Sequence, residues 1–493
     1  MTAAPAAGAG HGAADINQVF RGGGRSVEFL DQVNKASIVM LAETAIVPGP
    51  LAAHIARSIA QLIELDRQSP PRHTADYLDY EPRLLALSGP EGSRLHTGRS
   101  RQDLASTLSR MNLRAGLLAE IAALVTARER LLELAGRHFE TIIPCYTHGV
   151  QAQPTTLAHY LLALAAMLAR QTDRLREAFA RVDACPLGTA ALATSSFPLD
   201  RHRLAMLLGF DSLLENAYDA NHFAPVDCAL DVANALAVMA VQLGQFAQDI
   251  HAQYSEPVPW FLLGSGELTG VSSIMPQKRN PAALEQLRAQ SSILLGELQS
   301  VALLAHNTRS GMFDYRMYDP VPCTRPLLVI SLFTRIVDAL QVNRERALAE
   351  VDADYSTSTE IADVLLQQAQ VPFRTGHHFA SQLTDFGRAR GLRLCEITHE
   401  QAAGIYRAQT GCDFPLDAAR FREAISPQYM VFGRRGLGGP QIEEATRMRA
   451  AASEAIAGDR GWLARTNGRI DNALAALDQA FDALCRQHPP EHA

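Results

Sequence analysis

The sequence predicts an all-α protein whose centre is a bundle of long helices. Apolar residues recur at helical spacing in long runs, while the two-residue alternation of half-buried strands is nearly absent. The runs are "LLAEIAALVTARERLLELA" from 117, "LAHYLLALAAMLARQTDRLREAF" from 157, "LDVANALAVMAVQLGQFAQDI" from 230, "AALEQLRAQSSILLGELQSVALLA" from 282 and "RPLLVISLFTRIVDALQVNRERALAEV" from 325. Several exceed 20 residues and are apolar around much of their circumference. Each therefore needs burial on more than one side, within a bundle or between subunits.

Composition narrows the function. A chain of 493 residues that is 47% hydrophobic and 20% charged is globular rather than disordered. Its formal net charge of -7 supplies no basic surface for a phosphate backbone, so nucleic acid is not an expected partner. The seven cysteines form neither a C-x-x-C pair nor a zinc-like cluster with histidine, and no metal site is expected. Asp, Arg or Gln interrupts every apolar run before the roughly 20 residues needed to cross a bilayer. The first 15 residues, "MTAAPAAGAGHGAAD", lack the pattern of a signal peptide and read as a flexible arm, so a cytoplasmic location is expected.

Polar chemistry concentrates in three loops that lead into helical runs: "HTGRSRQD" at 96–103, "YTHGVQAQPTT" at 146–156 and "GVSSIMPQKRNP" at 270–281. Helix N-termini carry unpaired N–H groups and partial positive charge, which suits carboxylates. Each loop also has a structural reading. Asn280 could cap a helix, with Pro281 in the first position and Glu285 in the first turns. Arg99, Arg101 and Asp103 could form a solvated charge cluster, and His148 could be a satisfied core histidine. The third loop holds more than a cap requires, since Ser272, Ser273 and Lys278 could wrap an anion. Lysine is rare here: Lys35 and Lys278 stand against 45 basic residues in all. Where arginine has replaced lysine almost everywhere, a retained lysine suggests a site that needs a compact ammonium.

Together these loops resemble the three signature regions of the fumarase/aspartase superfamily, and within it the chain most resembles the argininosuccinate lyases. "PLGTAALA" and "FPLDR" at 186–201, "VPFRTGHHFASQL" from 371 and "RRGLGGP" from 434 extend the likeness nearly end to end. The resemblance implies an N-terminal helical domain over 1–103, a central long-helix domain over 104–358 that assembles into a homotetramer, and a small helical domain over 359–493. It implies a cofactor-free β-elimination that releases fumarate and an amine, with composite sites built from three subunits. On the family pattern Ser272 is the base, Lys278 and Asn280 bind the carboxylate whose charge grows, His148 assists the departing nitrogen and Glu285 orients it. Ser100, Arg101, Gln102, Thr147 and Gln153 fall on positions that hold the dicarboxylate substrate.

Four departures accompany the resemblance. Gln102 stands where these lyases usually have Asn, and Ala282 where Asp usually follows "KNP". "HNTRSGMFDYRMYD" at 306–319 replaces the family's "YNxDxQEDK" segment, and "ENAYDANHFAP" near 216 lacks its "S-D/E-R-D" pattern. They leave the elimination machinery in place and alter the surroundings of the amine, for which Tyr315 is a candidate contact. The expected activity is thus cleavage of an N-substituted aspartate other than argininosuccinate; the alternatives are an authentic argininosuccinate lyase and an idle relative of the δ-crystallin kind.

Lys278→Arg should lower kcat/KM for fumarate release at least a hundredfold, about 2.7 kcal/mol of transition-state stabilisation, because a planar guanidinium cannot fill an ammonium's site. Steady-state kinetics of an active Lys278→Arg enzyme would show that the lysine has no such role.

Overall fold

In the computed structural model, which describes residues 25–68, 74–254, 258–264, 266–312, 314–317 and 324–487, helices dominate as the periodicity requires. The described chain opens with α1 (Ser26–Glu43), α2 (Gly49–Gln68) and α3 (Tyr77–Ser88). The bundle then follows: α4 (Arg101–Gly136), α5 (Leu157–Val182), α6 (Ala224–Tyr254), α7 (Ala282–Ala305) and α8 (Thr324–Ala339). α4 packs against α5 and α8, and α6 against α5 and α7. Leu124, Leu161, Leu236, Leu284 and Phe333 are among the residues that close this core.

The run from 325 does not form one helix. α8 ends at Ala339, Leu340–Val342 pairs with Phe261–Leu263 as an antiparallel ribbon, and α9 (Arg344–Ala353) starts after Asn343. Asn343 ends the ribbon because its side chain accepts the Arg346 N–H at 3.0 Å and caps the new helix. α10 (Ser358–Ala369), α11 (Phe373–Arg390) and α12 (His399–Thr410) then enclose a separate core around Leu365, Phe379 and Phe421.

The described part of the segment 359–493 divides between cores. Its last part, the 45-residue α13 (Ile442–Arg486), runs back along the bundle to the N-terminal helices. Ala445, Ile456 and Leu463 join the bundle core, whereas Leu477, Phe481 and Leu484 join the core of α1 and α2. Asp459 accepts from the buried Arg128 of α4 at 2.5 Å and from Arg176 of α5 at 2.9 Å. At the far end Lys35 donates to Asp478 at 2.7 Å. One of the two lysines thus has a structural partner.

α6 is by length and composition apolar enough to cross a membrane, with a mean hydropathy of 1.5 over its best window, which no run in the sequence suggested. Its acidic residues Asp227, Asp231 and Asp249 sit towards its ends. Half of that window is buried inside the bundle, and this burial accounts for its apolar character.

Burial also strands one carboxyl group. Glu120, in the middle of α4, is 1% exposed and both its oxygens lack a hydrogen-bond partner among the described residues, so burial alone pushes its pKa up to about 8. The folded-state value lies above the unfolded one, 4.5. Stability is therefore complete below about pH 4.5 and falls as pH rises towards 8. Glu120→Gln should flatten that fall in denaturant unfolding measured at several pH values. An unchanged pH profile would show that Glu120 does not cause it.

Candidate functional site

The first signature loop is built around Asp103 rather than around a solvated charge cluster. Ser100 caps α4, its hydroxyl accepting the Gln102 N–H at 3.0 Å, while Asp103 accepts the Ser100 N–H at 2.8 Å, which closes a capping box. The second carboxylate oxygen of Asp103 accepts N–H groups of Gly188 and Ala190 at 3.0 and 3.2 Å, tying "PLGTAALA" to the same helix end. Asp103 has no exposed surface, and burial pushes its pKa up to about 7 against the pull of those three N–H groups. Arg99 is buried as well, donating to Asn34 and Ser37 and lying over the Tyr77 ring. Arg101 donates through Nε and Nη2 to Asp76 at 2.9 and 2.5 Å, and Asp76 caps α3. The Gln102 amide donates to the Asn221 carbonyl at 3.2 Å. Ser100, Arg101 and Gln102 thus lie together, each held in place.

The second signature loop is not irregular but a β-hairpin, β1 (Ile142–Thr147) and β2 (Val150–Thr156). Thr147 pairs with Val150, so His148 and Gly149 form the turn, with φ of 56° and 77°. Two successive positive φ values are those of a type I′ turn, whose twist matches the strands. His148 is therefore no core residue: with Thr147 it stands exposed at the tip. Further along β2, Gln151 donates to Ser356, and Gln153 lines a cavity of about 520 Å³ with His377, Arg388 and Arg434. Gln153 and the His148 tip thus belong to different parts of the hairpin.

In the third loop, Gly270–Val271 pairs with Arg279–Asn280 in an antiparallel ribbon that closes on the intervening turn. Pro281 takes the cap position of α7, so Asn280 does not cap it. Inside the turn, Ser272 Oγ accepts the N–H groups of Met275 at 3.1 Å and Ile274 at 3.4 Å. Lys278 is exposed, and its ammonium forms no ion pair among the described residues. Glu285 lies exposed in the first turn of α7, and no described contact joins it to His148. Tyr315 lies in the 3₁₀ turn Asp314–Met317; its side chain, and all of Tyr318 and Asp319, lie outside the described residues.

Sequence reasoning missed Asp76, Asp103 and Asn221 as organisers. The S-x-x-D spacing of Ser100 and Asp103 is a capping-box signal and could have exposed the second; Asp76 and Asn221 act across long sequence separations that no local pattern reveals. Asp103→Ala would leave three N–H groups without their acceptor. It should destabilise the protein by roughly 3–5 kcal/mol, measured by chemical denaturation, since each orphaned buried donor costs about 1–3 kcal/mol. A change below about 1 kcal/mol would refute its organising role.

Comparison with known proteins agrees with this architecture. A lyase family model matches residues 83–296, and an argininosuccinate lyase C-terminal model matches residues 355–431. An argininosuccinate lyase of Methanosarcina acetivorans is 30% identical over 460 residues, covering 91% of each chain. Argininosuccinate lyase 2 of Agrobacterium fabrum is 31% identical over 93% of this chain and 92% of its own. Among solved structures, EDDS lyase in complex with formate superposes with a TM-score of 0.87 at 29% identity, covering 95% of this chain and 93% of that one. On this evidence the chain belongs to the argininosuccinate lyase family of the fumarase/aspartase superfamily.

Proposed function

We propose that this chain cleaves an N-substituted aspartate by β-elimination, releasing fumarate and an amine, with Ser272 as the base. The carrying observation is the pair of N–H groups aimed at Ser272 Oγ, from Met275 at 3.1 Å and Ile274 at 3.4 Å. A neutral hydroxyl is a poor base, and an alkoxide there is stabilised by these fixed donors and by the Lys278 ammonium in the same loop. Ser272 takes the proton from the carbon next to a carboxylate, and the electron pair moves into that carboxylate as a dianion. Lys278 and Asn280 bind the growing charge. The pair then forms the double bond of fumarate as the C–N bond breaks, and His148 assists the departing nitrogen. Thr147 and the residues at the α4 end, Ser100, Arg101 and Gln102, hold the substrate carboxylates. Gln153, which lines the cavity with His377 and Arg434, is assigned to the same carboxylates.

His148 at a hairpin tip and Glu285 on α7 carry out paired roles only if another subunit brings them together, which is why we assign composite sites in a homotetramer. Exposed apolar side chains support this assembly. Leu303 on α7 is 75% exposed and Ile274 in the serine loop 83%, and both are surfaces that burial by a partner would stabilise. An authentic argininosuccinate lyase is the second reading, favoured by the names of the relatives that share about 30% identity. Against it stand the altered segments 215–225 and 306–319.

The test follows fumarate absorbance during incubation with arginine, ethylenediamine or ammonia. Fumarate should disappear with at least one amine, and Ser272→Ala should abolish its loss while leaving thermal unfolding unchanged. Ser272→Ala activity within about tenfold of wild type, or under 1.4 kcal/mol, would overturn Ser272 as the base.

A further inference from the structure

The elimination uses the cavity of about 520 Å³ only through Gln153 on its edge. Its long walls are α10 and α11, which run antiparallel. A Cβ on Gly376 of α11 would stand 3.1 Å from Cα of Ala362 on α10, and one on Gly387 would stand 2.6 Å from the hydroxyl of Tyr355, just before α10. The start of α10 therefore lies beside the end of α11, while Gln153 of β2 and Arg434 complete the lining. The volume falls within the roughly 300–1,000 Å³ that small-molecule sites occupy.

The charges in this cavity are arranged in an unusual way. His377, Ser381, Asp385 and Arg388 recur at helical spacing, so α11 turns one polar face to it. Asp385 and Arg388 are three residues apart and opposite in sign, yet among the described residues neither side chain forms a hydrogen bond or an ion pair. Arg388 only lies over the Tyr355 ring, at 5.5 Å, which leaves the N–H edge of the guanidinium open to a carboxylate. Arg434 cannot replace it, because Glu360 at 2.9 Å and Asp363 at 3.9 Å already neutralise that cation. A simple anion on Arg388 would have the Asp385 carboxylate beside it, and a simple cation on Asp385 would have the guanidinium. A molecule that carries both charges on one carbon satisfies the two together. Ser358 and Thr359 add hydroxyls at the same end, and Ala362 and Ala380 give an apolar floor along which a side chain can lie.

We propose that this cavity binds a free α-amino acid as an effector, its carboxylate on Arg388 and its ammonium on Asp385. Gln153 carries the effect, since an occupant that engages its amide competes with the substrate carboxylates assigned to it. The effect on turnover rests on the lyase reading, whereas the binding does not.

The experiment measures thermal unfolding of the full chain with each standard α-amino acid at about 10 mM. At least one should raise the midpoint. Its decarboxylated amine and its deaminated acid should not, and neither should the amino acid itself with Arg388→Gln or Asp385→Asn. In the addition direction the same amino acid should raise the KM for fumarate about fivefold, the worth of one neutral hydrogen bond. Arg388→Gln should remove that rise and leave the KM without effector unchanged. No shift with any amino acid, an equal shift with the amine or the acid alone, or a shift that survives both substitutions overturns the site. Because the analogue comparison uses wild type, a variant that fails to fold does not remove the test. A bound amino acid that leaves the KM unmoved overturns the coupling through Gln153. A midpoint shift in a protein that consumes no fumarate with any amine supports the site and overturns the lyase reading.

Discussion

The carboxylate of Asp103 is the point on which the site end of the molecule depends. It receives the Ser100, Gly188 and Ala190 N–H groups, and so fixes the first turn of α4 and the start of the 186–191 segment with one buried side chain. From there the network widens. Thr189 accepts from the Asn221 amide at 2.9 Å, and the Asn221 carbonyl accepts from Gln102, which closes a ring back to α4. A capping carboxylate at a helix N-terminus is favoured by the local dipole, but here it also joins two segments distant in sequence. The positions of Ser100, Arg101 and Gln102 follow from that junction together with their own side-chain anchors.

The site residues are held in two different ways. At the α4 end every side chain is anchored: Arg101 to Asp76, Gln102 to Asn221 and Arg99 within the core. His148 and Ser272 instead sit on projecting ribbons, one a tight I′ hairpin and the other a loop closed by two residue pairs. The anchored end suits a fixed grip on carboxylates, and the ribbons suit delivery to a neighbouring subunit in the proposed tetramer. The loop's exposed Val271 and Ile274 fit that use, since lone apolar residues at a ribbon tip have nothing to pack on in a single chain.

Much of this was legible in the sequence, for identifiable reasons. The bundle showed itself because long helices repeat their apolar positions many times. The division after Ala339 did not, since the apolar pattern runs on through Leu340 and Val342 and only the cap at Asn343 marks the change. The His148 hairpin was missed because "HG" at a turn is a weak signal beside Asn-Gly, although two positive-φ positions explain it afterwards. The serine loop was recognised from its unusual residues, yet the two N–H groups at Ser272 Oγ depend on backbone direction, which residue types do not encode. Asp76 and Asn221 act across 25 and 119 residues, beyond the reach of local spacing.

The course of α13 bears on how the chain is made. Leu477, Phe481 and Leu484 complete the hydrophobic core of α1 and α2, and Lys35 waits for Asp478, 443 residues later. During synthesis the first helices therefore leave the ribosome long before the side chains that seal them exist. Until the last turns of α13 emerge, their apolar faces stay open to water and to other nascent chains. α13 acts as a closing clasp on helices made long before it, and a chain released before α13 would lack the means to shield them.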